Sequence, residues 1–437
     1  MKKKALVFFP HNLLPPRTGA DRRCSEMLAG LKELGCEVTL ASSTLSSVTK
    51  WTPSSVQGLK DRLVEDVRVY EPTAPDNKFL CYLKKYYGAD YRAIRVLKRL
   101  HLLNVVPPIN STLHTPPGMR RWFRKIHDEI SPDIIMMNYA YWDGLLSHRK
   151  FSSTLRIIDI LDLVSLNAQM HQALVKCLPN PLKADRTDDR VLREDFFETL
   201  DIAPRAGEFR IFDKYNYTIA ITSKEADLIS RHTNKTKVSL IPVTLEPCYI
   251  PNSYSDYALF PVGPNLFNIQ GYLYFAKKIL PYVRKRIPSF SLHVTGTFYN
   301  HTPPEPEEGI VMRGFVPDLK TVYETAGFVV CPVFGGTGQQ IKIVEAMAHG
   351  LPVIAVRFAA ERSPIEHGIN GLVAENTGEF ADYVIQLWND RKLCRQLGDA
   401  ARETFASDFS RARLTEELSR IISLGSSSQG ISLSRVL

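Results

Sequence analysis

The sequence predicts an α/β protein of two parallel-sheet domains that face each other across a cleft. Three observations lead there. The chain has 437 residues, roughly three times the length of a common single domain. Short apolar runs alternate with helix-spaced segments in two separate stretches, which is the pattern of parallel βαβ units. Between those stretches Pro242, Pro247 and Pro251 cluster, as they would in a linker. Composition agrees: 44% apolar and 23% charged residues describe a globular chain and exclude a mainly disordered one.

The first domain, 1–243, opens on KALVFFP, a buried strand, followed by the turn-rich PPRTGA. DRRCSEMLAGLKELG then has helical spacing through Met27, Leu28, Leu31 and Leu34; Gly35 caps it, and CEVTLAS is a second strand. The runs DIIMMN (133–138), LRIIDIL (155–161), YTIAIT (217–222) and KVSLIPV (237–243) repeat the theme. Between Pro72 and Ser131 the alternation is lost, so 72–131 reads as a basic helical insertion.

The second domain, 244–424, begins with the strand YALFPVG, a helix over YLYFAKKILPYVRKRIP and the strand FSLHVTG. GIVMRGFV, ETAGFVVCPV, the EAMAHG helix and LPVIAV follow in order. The last helix is a candidate to cross back to the first domain, and the Ser/Gly-rich 425–437 reads as a flexible tail. Strand carboxyl ends of two such Rossmann-like domains border a common cleft, the usual place for a ligand.

The net charge of +9 is concentrated. From Lys78 to Lys125 eleven basic residues face a single acid, Asp90. Within 81–103, Tyr, Leu and Ile interleave with Lys and Arg, as in an interfacial helix or a site for an acidic acceptor; a solvated helical face is the plain alternative. No nucleic-acid-binding module is recognisable, so nucleic acid is not an expected partner. Ala5 to Phe9 is too short for a signal-peptide core, and no apolar stretch has the length of a membrane span. The expected location is the cytoplasm, with peripheral contact at the inner face of the cytoplasmic membrane through 78–125. The seven cysteines lack metal-ligand spacing and read as reduced thiols. Neither a metal nor another cofactor is expected.

The chemistry concentrates between Met312 and Val356. A buried strand, Phe328 to Val333, leads into Phe334-Gly335-Gly336-Thr337-Gly338, and a helix starts near Gln339. Glycines at a strand-to-helix turn let backbone N–H groups approach an anion, and the helix N-terminus favours negative charge. Lys342 and Glu345, three apart, share a helical face. The Lys suits a diphosphate; the carboxylate, one turn deeper, suits two sugar hydroxyls. A tight loop with glycines needed only for geometry is the bland alternative.

GFVPDL, GGTGQQIKIVEAMAHGLPVIA and HGINGLVAEN resemble, in order and spacing, the donor-domain motifs of the family 4 (group 1) retaining glycosyltransferases of GT-B fold. PPRTGADRR and LKELGCEVTLAS resemble that family's first glycine loop and second strand. The resemblance implies a metal-independent transfer of a sugar from a nucleoside-diphosphate donor to a saccharide or lipid-linked acceptor, as in bacterial surface polysaccharide or lipopolysaccharide synthesis. It gives Glu345 the donor ribose and Lys342 the diphosphate. Phe315 and Val316 fall to the base by their backbones, and Gly336, Thr337 and the amides of Gly338, Gln339 and Gln340 to the donor sugar. Gly19 lets the first domain approach the phosphates.

Three positions depart from the family pattern. Thr337 stands where many members have a Glu. Leu161 replaces the His of a His-Asp pair, leaving Asp162 as the candidate catalytic or acceptor-orienting group beside Lys342. The basic pair expected in FPVGPNLFNIQG is missing, leaving Asn265, Asn268 and Gln270, with Arg313 as a further phosphate cation. Tyr139, Tyr141 and Trp142, after the DIIMMN strand, are candidates to stack on an acceptor sugar, against packing as the alternative. Helix capping is the competing reading of Asp162, and likewise of Ser223 and Glu225. The competing functions are a non-catalytic nucleotide- or carbohydrate-binding relative, motivated by Thr337 and Leu161, and an enzyme acting on a protein acceptor.

Overall fold

A computed structural model describes residues 2–16, 18–45, 50–76, 78, 114–146, 151, 153–178, 188–245, 251–298 and 306–430, the side chains of 426–430 excepted. Most of the basic window, including 81–103, lies outside the described residues, as do 246–250 of the linker and 431–437 of the tail.

Two parallel sheets organise the chain. The first has seven strands in the order β3-β2-β1-β4-β5-β6-β7. These are β1 (Lys4–Phe8), β2 (Glu37–Ser43), β3 (Asp66–Tyr70), β4 (Ile134–Asn138), β5 (Leu155–Asp159), β6 (Tyr217–Ala220) and β7 (Lys237–Leu240). The second has six, in the order β10-β9-β8-β11-β12-β13. Its members are β8 (Ala258–Val262), β9 (Leu292–Gly296), β10 (Ile310–Gly314), β11 (Phe328–Cys331), β12 (Val353–Val356) and β13 (Leu372–Ala374). Central strands such as KALVF, IIMMN and FVVC are buried on both faces, which is why they read as unbroken apolar runs rather than alternating ones.

Local chemistry sets the helix ends near the cleft. The first helix, Gly19–Glu33, starts at a capping box in which Thr18 and Asp21 satisfy each other's backbone N–H. Past its end Gly35 takes φ +77°, the left-handed conformation that suits glycine. In the second domain the helix Leu266–Tyr274 passes through a π turn, Phe275–Ile279, before Leu280–Arg286. Pro281 lies just beyond that turn; it has no N–H to donate to the preceding turn, so the ladder must be re-spaced there.

The domains exchange arms. The second half of the helix Val164–Cys177 and the segment after it place Met170, Leu174, Val191, Leu192, Phe196 and Phe197 in the apolar core of the second domain. In return the last helix, Arg411–Gly430, places Leu414, Leu418, Ile421 and Ile422 in the core beneath the first sheet. A Cβ on Gly30 would lie 2.5 Å from Leu414 Cδ2, so the first helix needs glycine where the last one crosses it. Arg411 forks onto Glu26 at 2.8 and 2.9 Å. This helix runs to Gly430, so 425–430, which the composition assigned to a flexible tail, is helical: six residues of Ser, Gly and Gln continue an already docked helix.

The described part of the insertion includes the helix Pro117–Ile130, which buries Met119, Phe123 and Ile126 on the sheet. Arg121, Arg124 and Lys125 are exposed on its other side, as in a solvated face. Among the described residues no helix is long and apolar enough to cross a membrane.

Candidate active site in the cleft between the domains

Between the two rows of strand ends lies a cavity of about 490 Å³. The second domain lines it with one stretch around Gly335, Gly336, Gly338, Gln339, Gln340, Lys342 and Glu345, and with Asn265, Phe267 and Asn268. The first domain contributes Thr18, Gly19, Arg22, Asp162, Asn167 and His171.

The glycine loop after β11 leads into the helix Ile341–Ala348. Gly336 has φ +103°, a conformation that strains any residue with a side chain. Lys342 is buried and donates a hydrogen bond to Asn268 Oδ1, with the Phe260 ring 5.2 Å beneath its Nζ. Burial pulls its pKa below the ordinary lysine value, while the Cys331 thiol and Glu345 act in the opposite sense. One turn on, Glu345 Oε2 accepts from the Tyr323 hydroxyl at 2.8 Å, and Oε1 is paired with Arg22 of the first domain. Burial, and then Glu345, push the Tyr323 phenol well above its usual range, so it stays a donor. His349 stacks on Tyr323 with ring centroids 4.9 Å apart and bonds to Glu345 O at 2.8 Å, a packing role.

Asp162 belongs to the seam between the domains. Leu161, φ +59°, turns the chain at the end of β5 so that Asp162 Oδ1 accepts from Gly338 N and from Thr337 Oγ1, both at 3.1 Å. A Cβ on Gly338 would lie 3.0 Å from both Asp162 Oδ1 and Leu161 O, tight enough to shift the loop. Thr337 Oγ1 in turn accepts from Leu163 N at 3.0 Å, and Gln339 Oε1 from Val243 N at 2.9 Å. Burial raises the Asp162 carboxyl to about 6, against hydrogen bonds from Thr337, Gly338 and Asn167 that favour the charged form. The capping alternative for Asp162 is not what the structure shows. Glu208 takes Val164 N at 2.8 Å and Ser165 N at 3.1 Å, so it caps that helix and leaves Asp162 to the loop.

The structure thus brings Gly19, Asn268, Gly336, Gly338, Gln339, Gln340, Lys342, Glu345 and Asp162 to one cavity. Other candidates lie elsewhere. Thr337 is outside the lining because its hydroxyl is turned into the first domain. Arg313 is exposed and bonds to His293 Nδ1 at 3.1 Å, away from the cavity wall. Phe315, 69% exposed, and Val316 stand outside the lining, where Leu319 of the same loop takes part. Gln270 is fully buried and donates to Val191 O at 2.8 Å, holding the exchanged arm.

Of the three acceptor-stacking candidates, Trp142 needs correction. Trp142 is buried, with ring centroids 5.2 Å from Phe8 and 5.7 Å from His114, so it packs the core rather than offering a platform to a sugar. Tyr141 packs on His114 at 4.8 Å. Tyr139, φ +65°, packs against two of the first domain's apolar clusters. In the 3-10 turn Ala140–Leu145 Trp142 joins the core, whereas Tyr139, just before it, and Tyr141 are half-buried and pack against that core.

Arg22 is the residue that sequence reasoning missed. It stands three positions beyond Gly19, near the helix N-terminus, but nothing local marks which of the two adjacent arginines faces the cleft. Its neighbour Arg23 turns the other way and forks onto buried Asp159 at 2.8 to 3.1 Å. Ser223 and Glu225 are capping residues: Thr222 and Glu225 form a capping box on the helix Ser223–His232.

Two α/β domains of parallel strands, with a glycine loop, a lysine and a carboxylate at their shared cleft, define a GT-B protein. Comparison with known proteins agrees. Residues 258–390 match the family described as glycosyl transferases group 1. Over this second domain the chain is similar to that family, the one its motifs resemble. A putative glycosyltransferase EpsD from Bacillus subtilis is 32% identical over 117 residues, which is 26% of this chain and 30% of that one. The curated relatives are matched over only 21% to 53% of their length. The fold likeness spans nearly everything. Sucrose-phosphate synthase from Thermosynechococcus elongatus superposes with TM-score 0.63 at 14% identity, covering 98% of this chain and 100% of that one. Anabaena HepE in complex with UDP and glucose gives 0.59 at 12% identity, covering 96% and 99%.

Proposed function

We propose that the protein is a retaining glycosyltransferase that moves a sugar from a nucleoside-diphosphate donor to a saccharide or lipid-linked acceptor. Bacterial surface polysaccharide or lipopolysaccharide synthesis is the proposed setting. The observation that carries this reading is the convergence of the Lys342–Asn268 pair, Glu345 and the glycine loop on one cavity wall. HepE, a structural neighbour, was solved with UDP and glucose, which makes uridine the first donor base to test.

The chemical demand is a departing diphosphate that gains negative charge while the anomeric carbon becomes oxocarbenium-like. Groups held in place before the reaction stabilise that charge more than they stabilise the ground state. Lys342, fixed by Asn268, and the N–H groups of the glycine loop other than that of Gly338, which Asp162 holds, supply the positive field, so transfer without a divalent metal is the proposal. Glu345 holds the ribose. Asp162 acts as a positioning residue: it fastens Thr337 and Gly338 and so sets where the loop amides point. The acceptor enters along the first-domain wall, past Asn167 and His171.

The test is incubation with UDP-, GDP- and ADP-sugars, with and without chelator, following release of nucleoside diphosphate and the anomeric configuration of any product. Slow donor hydrolysis that persists in chelator supports the reading. Complete inertness toward every donor points to the non-catalytic relative.

A further inference from the structure

Two arginines stand side by side at the start of the first helix and do opposite things. Arg23 is wholly buried, spent on Asp159 and Pro242 O. Arg22 crosses to the other domain, keeps about a third of its side chain exposed (35%) and pairs with Glu345, the carboxylate assigned to the ribose. Asp21, between Gly19 and Arg22, is already held by the Thr18 capping box and by His11, 2.8 Å away, so the start of the helix is anchored independently of Arg22.

Charge in the cavity sharpens the point. Lys342 and Arg22 are the lysine and arginine of its lining, and Glu345 and Asp162 the carboxylates. A nucleoside diphosphate brings two or more negative charges, and Lys342 alone, with Glu345 one turn away, does not balance them. Nor does Arg313, which lies off the wall. When a ribose takes the Glu345 carboxylate, Arg22 loses its anion in a partly desolvated cleft, where an unpaired guanidinium is costly.

We infer that Arg22 is a first-domain ligand for the donor diphosphate, pairing with Glu345 before the nucleotide binds and passing to a phosphate oxygen when the ribose takes that carboxylate. The inference rests on the donor-site reading above. Guanidinium suits the role because its planar fork can hold a carboxylate or a phosphate with little change of position. The exchange keeps the cleft's charges paired throughout. It also makes recognition depend on both ends of the ligand: a nucleoside without phosphates displaces Arg22 and offers it nothing in return.

The experiment compares binding of UDP and of uridine to the wild-type protein, Arg22→Gln and Arg22→Lys by titration calorimetry, with melting curves to confirm folding. GDP with guanosine and ADP with adenosine are run in the same way. In the wild type the diphosphate should bind far more tightly than its nucleoside. Arg22→Gln should shrink that advantage by about tenfold or more, the loss of one charge-assisted contact. Its affinity for the bare nucleoside should hold or rise, because Glu345 is freed. Arg22→Lys should keep part of the advantage. A diphosphate-to-nucleoside ratio unchanged in both variants overturns the inference while leaving the donor site standing. A wild type that binds none of the diphosphates overturns the donor site itself.

Discussion

In the second domain the glycine loop, Lys342 and Glu345 sit on one continuous stretch of the cavity wall, Gly335 to Glu345, with Pro261 to Asn268 beside it, whereas the first domain builds its wall from pieces far apart in the chain. Thr18, Gly19 and Arg22 come from the first helix, and Asp162, Asn167 and His171 from the region after β5. The contiguous wall was legible because a strand, a glycine turn and a helix fix the relation of Lys342 to Glu345 wherever they occur. The dispersed wall was not, since nothing local in ADRRC tells which arginine is buried on Asp159 and which crosses the cleft. The contrast teaches where sequence reasoning about a two-domain protein is strong: it sees chemistry carried on one supersecondary unit.

The sharpest way to break that contrast is at Lys342. Lys342→Ala removes the cation fixed by Asn268 and should lower transfer on the order of a hundredfold or more, with the melting curve still cooperative. Steady-state kinetics on the variant checks this. Turnover near that of the wild type would mean the contiguous wall is not the reacting one.

The seam between the walls is tested at Asp162, with a smaller effect. Asp162→Ala frees Thr337 Oγ1 and Gly338 N, and roughly tenfold should be lost in kcat, consistent with one or two hydrogen bonds. Asp162→Asn keeps an acceptor oxygen and should recover most of the rate. If the Asn variant is as slow as the Ala variant, the negative charge itself acts in the reaction, and Asp162 is more than a fastener.

The smallest effect lies behind the first-domain wall. Glu225 is buried, with Oε1 lacking a hydrogen-bond partner, and burial followed by the nearby Asp162 raises its carboxyl to about 8. In the unfolded chain the same group titrates near the ordinary value of about 4.3. Between those pH values the folded state holds the extra proton, so this group's contribution to stability is full below about 4 and is lost as pH rises toward 8. Glu225→Gln keeps the cap and has no proton to lose. Its melting temperature should therefore fall less than the wild type's between pH 5 and pH 8, by about a few degrees. Parallel melting profiles would show that Glu225 titrates alike in both states.

The fold itself was largely readable. Buried strand runs and Gly35 gave most of the elements of both sheets, and the glycine loop gave the second-domain wall of the cavity. What stayed hidden was tertiary in origin. Thr337, read as a donor-sugar contact, is a fastener to Leu163 and Asp162 because the first domain sits within hydrogen-bond reach of it. Trp142 could not be told from a stacking platform until it was seen buried between Phe8 and His114. The exchange of arms escaped for the same reason. Met170, Phe196 and Phe197 carry no local mark of belonging to the core of the other domain.

The central claim is that Glu345 and its neighbours bind a nucleoside diphosphate, and the most direct test is calorimetric titration of UDP, GDP and ADP into the wild-type protein and into Glu345→Ala. The account predicts saturable binding of one of them, weakened about tenfold or more in the variant as the ribose loses its carboxylate. No binding of any of them, or equal binding by both proteins, would contradict it.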